Sequence, residues 1–490
     1  MKKYLLIIIS AFLSGIAQQP IYLGLIAWFS FIPIFYHLEN KFRYKDFFYS
    51  GFIWGFIYHL TTIFWLSMNI GTNHYIASLT MILAVLVLSI NSIIIFSVLY
   101  LFKKYYSKQY LYFLPFIWIL VEYIKSFGTL GFPWVSIANT QIDYLVLIQN
   151  AEFLGIYGIS FWIILINVIL YQNLKNRVSY RYYLIIFFIP WIIGLFLYNR
   201  LNTDLDSNLN IALIQPNISL EEKWIGSPNK NFNKILDLSK TIQKQTNDIL
   251  VWPESALPSY FLQSNTNQIN RIHHVLGDST KLITGTTIFE KGSIKNKVFN
   301  SIAYIDNNRI IDYYNKIQLV PMAEYVPWSN FFTFLDDLNL GQANFSIGKE
   351  NKIFDYNETK FGSVVCYEST FPWLINEFIK QGAEFIIIVT NDGWYETAPE
   401  PQQHAKQSIY RAIENRKPII RCANTGISMI IDQAGNIKQR LELNKTGTIR
   451  ASIIPNKKIT FYIKYGDYLI KSIAVLLLIF LLISIYKKDE

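Results

Sequence analysis

Ile249-Leu250-Val251-Trp252-Pro253-Glu254-Ser255-Ala256 reads as a buried β-strand that a proline stops, leaving a carboxylate where the strand ends. Two further stretches repeat the pattern. Gly362-Ser363-Val364-Val365 runs into Cys366-Tyr367-Glu368, and Ile386-Ile387-Ile388-Val389 runs into Thr390-Asn391-Asp392-Gly393-Trp394. Short β-branched runs predict strands at Leu209–Gln215, Ile249–Trp252, Leu282–Phe289, Ser301–Ile305, Gly362–Tyr367, Phe385–Thr390, Pro418–Ala423 and Ser428–Ile431. Helical periodicity at Asn231–Thr246, Phe371–Gln381 and Gln402–Asn415 places helices between several of them. The segment from about residue 201 to 466 is therefore expected to be an α/β domain, a class in which ligands gather at the C-terminal ends of strands.

Outside that segment the texture is different. The whole chain has 490 residues, 52% of them hydrophobic and only 16% charged, with a mean hydropathy of +0.24, which excludes a single water-soluble domain. Apolar runs at Tyr4–Ala17, Ile21–His37, Phe48–Met68, Ile76–Phe102, Tyr110–Tyr123, Phe153–Tyr171, Tyr183–Tyr198 and Ile473–Tyr486 read as transmembrane helices. The expected layout is a seven-helix bundle over residues 1–200, the extramembrane domain over 201–466, and an eighth helix with a short tail over 467–490. Met1–Ala17 also has the basic start and small residues of a cleavable signal peptide, but six more spans follow it closely, and it is read as a retained helix.

The net charge of +10 first suggests an acidic partner such as nucleic acid. Its distribution says otherwise. Thirteen Lys and Arg (Lys2, Lys3, Lys41, Arg43, Lys45, Lys103, Lys104, Lys108, Lys175, Arg177, Arg181, Lys487 and Lys488), against four acidic residues, place +9 on alternate loops and the two termini. By the positive-inside rule those ends are cytoplasmic and the α/β domain lies outside. No basic patch remains for a nucleic acid.

A thiol nucleophile needs a base to take its proton and a fixed cation or N–H donors for the oxyanion that forms on attack. Glu254, Lys316 and Cys366 are residues of the required types. Singly, each has a plainer reading: a core cysteine, a solvated surface lysine, or a thiol paired with Cys422, the chain's other cysteine. Lys316, however, opens Lys316-Ile317-Gln318-Leu319-Val320-Pro321-Met322-Ala323-Glu324-Tyr325-Val326-Pro327, an apolar, proline-fixed segment in which a buried or half-buried ammonium is expected. With only two distant cysteines, a C-x-x-C zinc or redox motif is excluded.

These residues resemble the nitrilase superfamily, whose Glu-Lys-Cys triad follows this chain order on an α-β-β-α sandwich. The whole chain is more closely similar to its membrane-embedded branch, the apolipoprotein N-acyltransferase family. The marks are Trp252-Pro253-Glu254-Ser255-Ala256-Leu257-Pro258, Lys316 with Leu319-Val320-Pro321 and Glu324-Tyr325-Val326-Pro327, Cys366-Tyr367-Glu368 and Asn391-Asp392-Gly393-Trp394. The resemblance implies Glu254 as general base, Lys316 as oxyanion stabiliser and Cys366 as nucleophile, with Glu324 holding Lys316. Tyr367 and Glu368 would shape the pocket, and Trp224 would stand near the substrate entrance. His404 has no role in this scheme and is read as structural. Met322-Ala323 departs from the Phe-Gly usual before the second glutamate.

The implied reaction is ping-pong acyl transfer from the sn-1 position of a phospholipid, through a thioester on Cys366, to the α-amine of a diacylglyceryl-modified apolipoprotein. It needs neither cofactor nor metal. The implied setting is the bacterial inner membrane with the catalytic domain periplasmic. A membrane-anchored amidase using the same triad is the alternative. A transporter would instead carry ionisable residues inside several spans, where Glu122 is the main exception to nearly charge-free helices. Trp328–Phe334, rich in aromatics, reads equally as a mobile lid over the site or as domain core.

Overall fold

The computed structural model describes residues 4–176, 180–201, 209–243, 247–257, 263, 266–292, 296–307, 309–327 and 344–489. The chain divides into two compact units. One comprises residues 1–68, 74–201 and 460–490, and the other comprises 69–73 and 202–459.

In the first unit, among the described residues, five helices are long and apolar enough to cross a membrane: Tyr44–Met68, His74–Tyr105, Ala151–Asn176, Arg181–Asn199 and Phe461–Ile483. The other three expected spans fall on shorter apolar helices, Leu5–Ile16, Gly24–Glu39 and Tyr110–Ile124. At 1.5 Å per residue, the 12 residues of Leu5–Ile16 reach about 18 Å, short of the ~30 Å hydrocarbon core. The second opens as a 3₁₀ turn, Gly24–Trp28, and becomes α-helical only at Ile32–Glu39. The third likewise starts as a 3₁₀ turn, with Pro115 at the start of its α-helical part.

Small residues let two of the long helices meet closely. Gly51 and Gly55 lie one turn apart, and a Cβ on either would come within 2.8 Å of Ser92 on the helix His74–Tyr105. Glu122 is buried yet fully engaged. It accepts hydrogen bonds from Trp118 Nε1 at 3.0 Å, Ser136 Oγ at 2.8 Å and Ile137 N at 2.8 Å, so it ties the irregular segment after its own helix to the bundle.

The second unit contains, among the described residues, two six-stranded sheets. The first has the order β12-β1-β2-β3-β4-β5, with β1 (Leu209–Gln215), β2 (Ile249–Trp252), β3 (Lys281–Glu290), β4 (Lys297–Asp306), β5 (Arg309–Asn315) and β12 (Gly447–Ile453). The second has the order β11-β10-β9-β8-β7-β6, with β6 (Ile353–Tyr356), β7 (Thr359–Val365), β8 (Phe385–Thr390), β9 (Ile419–Ala423), β10 (Ser428–Ile431) and β11 (Ile437–Leu441). β1, β2 and β3 pair parallel, as do β7, β8 and β9, and antiparallel strands flank both sets.

Helices cover the outer faces. Phe232, Ile235 and Leu236 of Pro228–Ile242, and Ile269 and Ile272 of Thr266–Leu276, pack on Ile214, Leu250, Trp252 and Leu282 of the first sheet. Pro372–Lys380 and Glu400–Asn415 cover the second, with Phe378 seated on Gly362. The inner faces meet at Cys422, whose thiol on β9 donates to Ile214 O on β1 and Val251 O on β2, each at 3.3 Å. The result is the four-layer α-β-β-α arrangement, with the parallel strands of both sheets delivering their C-terminal ends to the site.

Candidate active site

Each of the main candidate residues follows a strand. Glu254 comes two residues after β2, Lys316 directly after β5 and Cys366 directly after β7. The expected strand Gly362–Tyr367 stops at Val365, because Cys366 takes φ 51° and starts the 3₁₀ turn Cys366–Thr370. Ser255 beside Glu254 also has φ 51°. Left-handed non-glycine residues are costly and persist only where their surroundings hold them; here two of them aim site side chains. Gly285 on β3 makes the approach at Glu254 feasible, since a Cβ there would stand 2.5 Å from Glu254 Cα.

Glu254, Lys316 and Glu324 form a buried cluster. Lys316 Nζ donates to Glu324 Oε1 at 2.8 Å, Asn300 Nδ2 donates to Glu254 Oε1 at 2.8 Å and to Glu324 Oε1 at 3.0 Å, and Val320 N donates to Glu324 Oε2 at 2.8 Å. Burial works against the Lys316 ammonium, but Glu324, Glu254 and Cys366 outweigh it and hold the group above its ordinary range. These neighbours favour the charged form of Lys316. Burial raises Glu254, and the charge of Glu324 adds to this, while Lys316 and the Asn300 donor pull it back. The Cys366 thiol is pushed well up by burial and by Glu254, against the opposing pull of Lys316. The proton therefore rests on sulfur, with a carboxylate and an ammonium both acting on that atom.

Glu368 and Tyr367, next to Cys366 in the chain, are buried. One Glu368 oxygen, Oε1, accepts from Tyr314 OH at 2.7 Å, Ile317 N at 2.7 Å and Gln318 N at 3.0 Å, and the other accepts from Val365 N at 2.8 Å. It thus locks the Lys316 segment to the turn carrying Cys366. Tyr367 stacks edge-on against Phe371, with centroids 4.9 Å apart. Trp224 ends the helix Leu220–Trp224; its side chain, and the whole aromatic stretch 328–334, lie outside the described residues. Both cysteines are free, so Cys366 and Cys422 form no disulfide with each other.

Several members of this site were not singled out from the sequence. Asn300 is a buried polar residue within β4, a signal that could have marked it. His404, read as structural, lies close to Cys366: its Nε2 sits 3.2 Å from Cys366 O and 3.1 Å from Ser369 Oγ. Its Nδ1 faces Asp392 Oδ1 at 2.9 Å and Arg421 Nη2 at 3.0 Å. Cys366, Asp392 and His404 offer ligand atoms within 4.8 Å of one another. The Asp392 carboxylate already accepts from Arg421 Nη2 at 2.8 Å and Thr390 Oγ1 at 2.9 Å, so its charge is balanced by a guanidinium and the donor set does not call for a metal. Arg421 and His404 outweigh burial and hold Asp392 down at about 2.

Comparison with known proteins agrees along the whole length. Residues 10–169 match the family described as Apolipoprotein N-acyltransferase N-terminal domain, and residues 210–457 match Carbon-nitrogen hydrolase. The Apolipoprotein N-acyltransferase of Geobacter metallireducens is 30% identical over 484 residues, covering 95% of this chain and 92% of that protein. Those of Chlorobaculum tepidum and Rickettsia prowazekii are each 28% identical, covering 95% and 99% of this chain and 93% and 99% of theirs. Among solved structures, an amidase of Nesterenkonia from the nitrilase superfamily aligns with a TM-score of 0.39 and 18% identity, over 54% of this chain and 95% of that one.

Proposed function

The chain belongs to the apolipoprotein N-acyltransferase family, within the nitrilase superfamily, and from that premise we propose how its residues carry out acyl transfer. Cys366 is the nucleophile, Glu254 its base and Lys316 the cation for the oxyanion. Glu254 takes the thiol proton as Sγ attacks the carbonyl carbon of a phospholipid sn-1 ester, and negative charge develops on the carbonyl oxygen toward Lys316. Collapse breaks the acyl C–O bond, the departing lysophospholipid oxygen takes the proton from Glu254, and a thioester remains on Cys366. The α-amine of a diacylglyceryl-cysteine then attacks the thioester, gives its proton to Glu254, and leaves as an amide while the C–S bond breaks and the thiol is restored.

What supports this reading is that Glu254 and Lys316, both buried, act electrostatically on the Cys366 thiol. A thiol that holds its proton at rest and gives it up only as substrate arrives is protected from stray oxidation. The match of residues 10–169 to the acyltransferase's own N-terminal domain favours lipid substrates over the amidase alternative. Both acyl donor and acceptor are anchored in lipid, so carrying the catalytic unit on a membrane bundle makes the search for them lateral. We further propose that all eight apolar segments cross or enter the bilayer, with both termini cytoplasmic and the catalytic unit periplasmic, in the inner membrane; the positive charge on alternate loops supports that orientation.

Intact-mass measurement of the full chain incubated with phosphatidylethanolamine vesicles tests the chemistry. The wild type is expected to gain one fatty-acyl mass and Cys366→Ala none, with Glu254→Gln and Lys316→Ala slowed by about a hundredfold or more. Equal mass gain by wild type and Cys366→Ala would reject the thioester.

A further inference from the structure

β7 and β8 run parallel and in register, Val365 beside Val389, so the residues that follow, Cys366 and Thr390, are neighbours across two strand ends. Cys366 Sγ lies within 4.8 Å of an Asp392 carboxylate oxygen, and the Thr390 hydroxyl, which donates to Asp392 Oδ1 at 2.9 Å, acts against the upward push of burial on the thiol. Asp392 is in turn fixed by Arg421 from β9 and by His404 from the helix Glu400–Asn415, and His404 reaches the Cys366 carbonyl. Thr390, Asp392, His404 and Arg421 are all buried. The mechanism above uses none of them.

A hydroxyl has one proton to donate. While sulfur carries its own proton, Thr390 can donate to Asp392 and accept from the thiol. Once Glu254 removes the thiol proton, sulfur has nothing to donate and needs a donor. We infer that Thr390 is a positioning residue for the nucleophile, its hydroxyl turning from Asp392 to the Cys366 sulfur as negative charge forms there, with Asp392 kept satisfied by Arg421 and His404. The turn moves a hydrogen bond and transfers no proton. It lends the charged sulfur a donor during attack and again when the thioester breaks. His404 and Arg421 act one step further back, as the frame that holds Asp392 and the left-handed Cys366 turn in place. The inference rests on the reading of Cys366 as nucleophile.

The charged and titratable groups acting on the sulfur or framing it come from every side: Glu254 after β2, Lys316 after β5, Asp392 and Tyr395 after β8, Arg421 on β9, and Glu400 and His404 on the helix. A substitution that leaves all of them in place is needed to isolate the hydroxyl. Thr390→Val keeps the shape and removes only that group, and Thr390→Ser keeps it. With the full chain in phosphatidylethanolamine vesicles, two quantities are read: the rate of acyl-mass gain, and the pH dependence of Cys366 alkylation by iodoacetamide, with Cys366→Ala as background. Thr390→Val is expected to slow acylation about tenfold to a hundredfold and to move the alkylation midpoint up by about one pH unit, because the charged sulfur has lost a donor. Thr390→Ser is expected to restore both. A general loss of packing would not be rescued by serine, which packs less well than valine. Wild-type acylation and an unmoved midpoint in Thr390→Val would overturn the role of Thr390 alone. Acyl mass gained by Cys366→Ala would overturn the nucleophile assignment, and the role of Thr390 with it.

Discussion

Asn300 shows how much one uncharged side chain can decide. Its amide nitrogen bridges Glu254 and Glu324, holding two buried carboxylates in one site beside the Lys316 ammonium. Like charges at close range raise each other's cost of ionisation, and the Asn300 donor offsets part of that cost at Glu254. A base must be ionised to act, so acylation is expected to fall as pH drops through the Glu254 value, which burial raises above the ordinary carboxylate range. Replacing Asn300 with Val removes a donor from the charged form, so Glu254 should rise further and the acid limb of the pH–rate profile should move to higher pH, by about one unit. A limb that stays where it was would count against Glu254 as the base. Glu254, Lys316 and Cys366 were candidates in the sequence because each stands just after a strand or at the start of a proline-fixed segment. Asn300 offered only its polarity within β4 as a signal, and His404 on its helix was read as structural, since neither position shows which partner it will meet after folding.

Among elements, the strands read from the sequence are the inner ones. β5, β6, β11 and β12 went unread, and these are the four edges of the two sheets. An edge strand has one side open, so it needs no continuous apolar run; Ile437–Leu441 is almost wholly exposed. In the membrane unit the eight apolar runs fall, among the described residues, on five helices long enough to cross a membrane and three shorter ones. Hydropathy reports burial, which a short helix broken by a 3₁₀ turn can satisfy as well as a long one. The long helices pack through small residues, and the pair Tyr44–Met68 and His74–Tyr105 depends on Gly51 and Gly55. Gly55→Ile is expected to force these helices apart and cost about 1–3 kcal/mol, lowering the melting temperature of the detergent-solubilised chain. An unchanged melting temperature would mean that the contact has slack.

For the whole molecule, the charge that first suggested an acidic ligand is better explained by topology. The proposed orientation predicts that, in spheroplasts, a membrane-impermeant maleimide labels Lys230→Cys above the background of the parent chain and labels Arg43→Cys only after permeabilisation. The reverse pattern would invert the molecule and remove the catalytic unit from its proposed compartment. The sequence by itself determined the class of each unit, the direction of the charge bias and the family, because apolar periodicity, loop charge and strand-end motifs are local properties. What only the tertiary structure decided is which polar groups share a site. Asn300 on β4, Glu368 after β7 and His404 on the helix Glu400–Asn415 come together because two sheets and their outer helices close around the strand ends. That closure places residues more than a hundred positions apart around a single sulfur, and the energy of a buried charge depends on those neighbours and not on its own place in the chain.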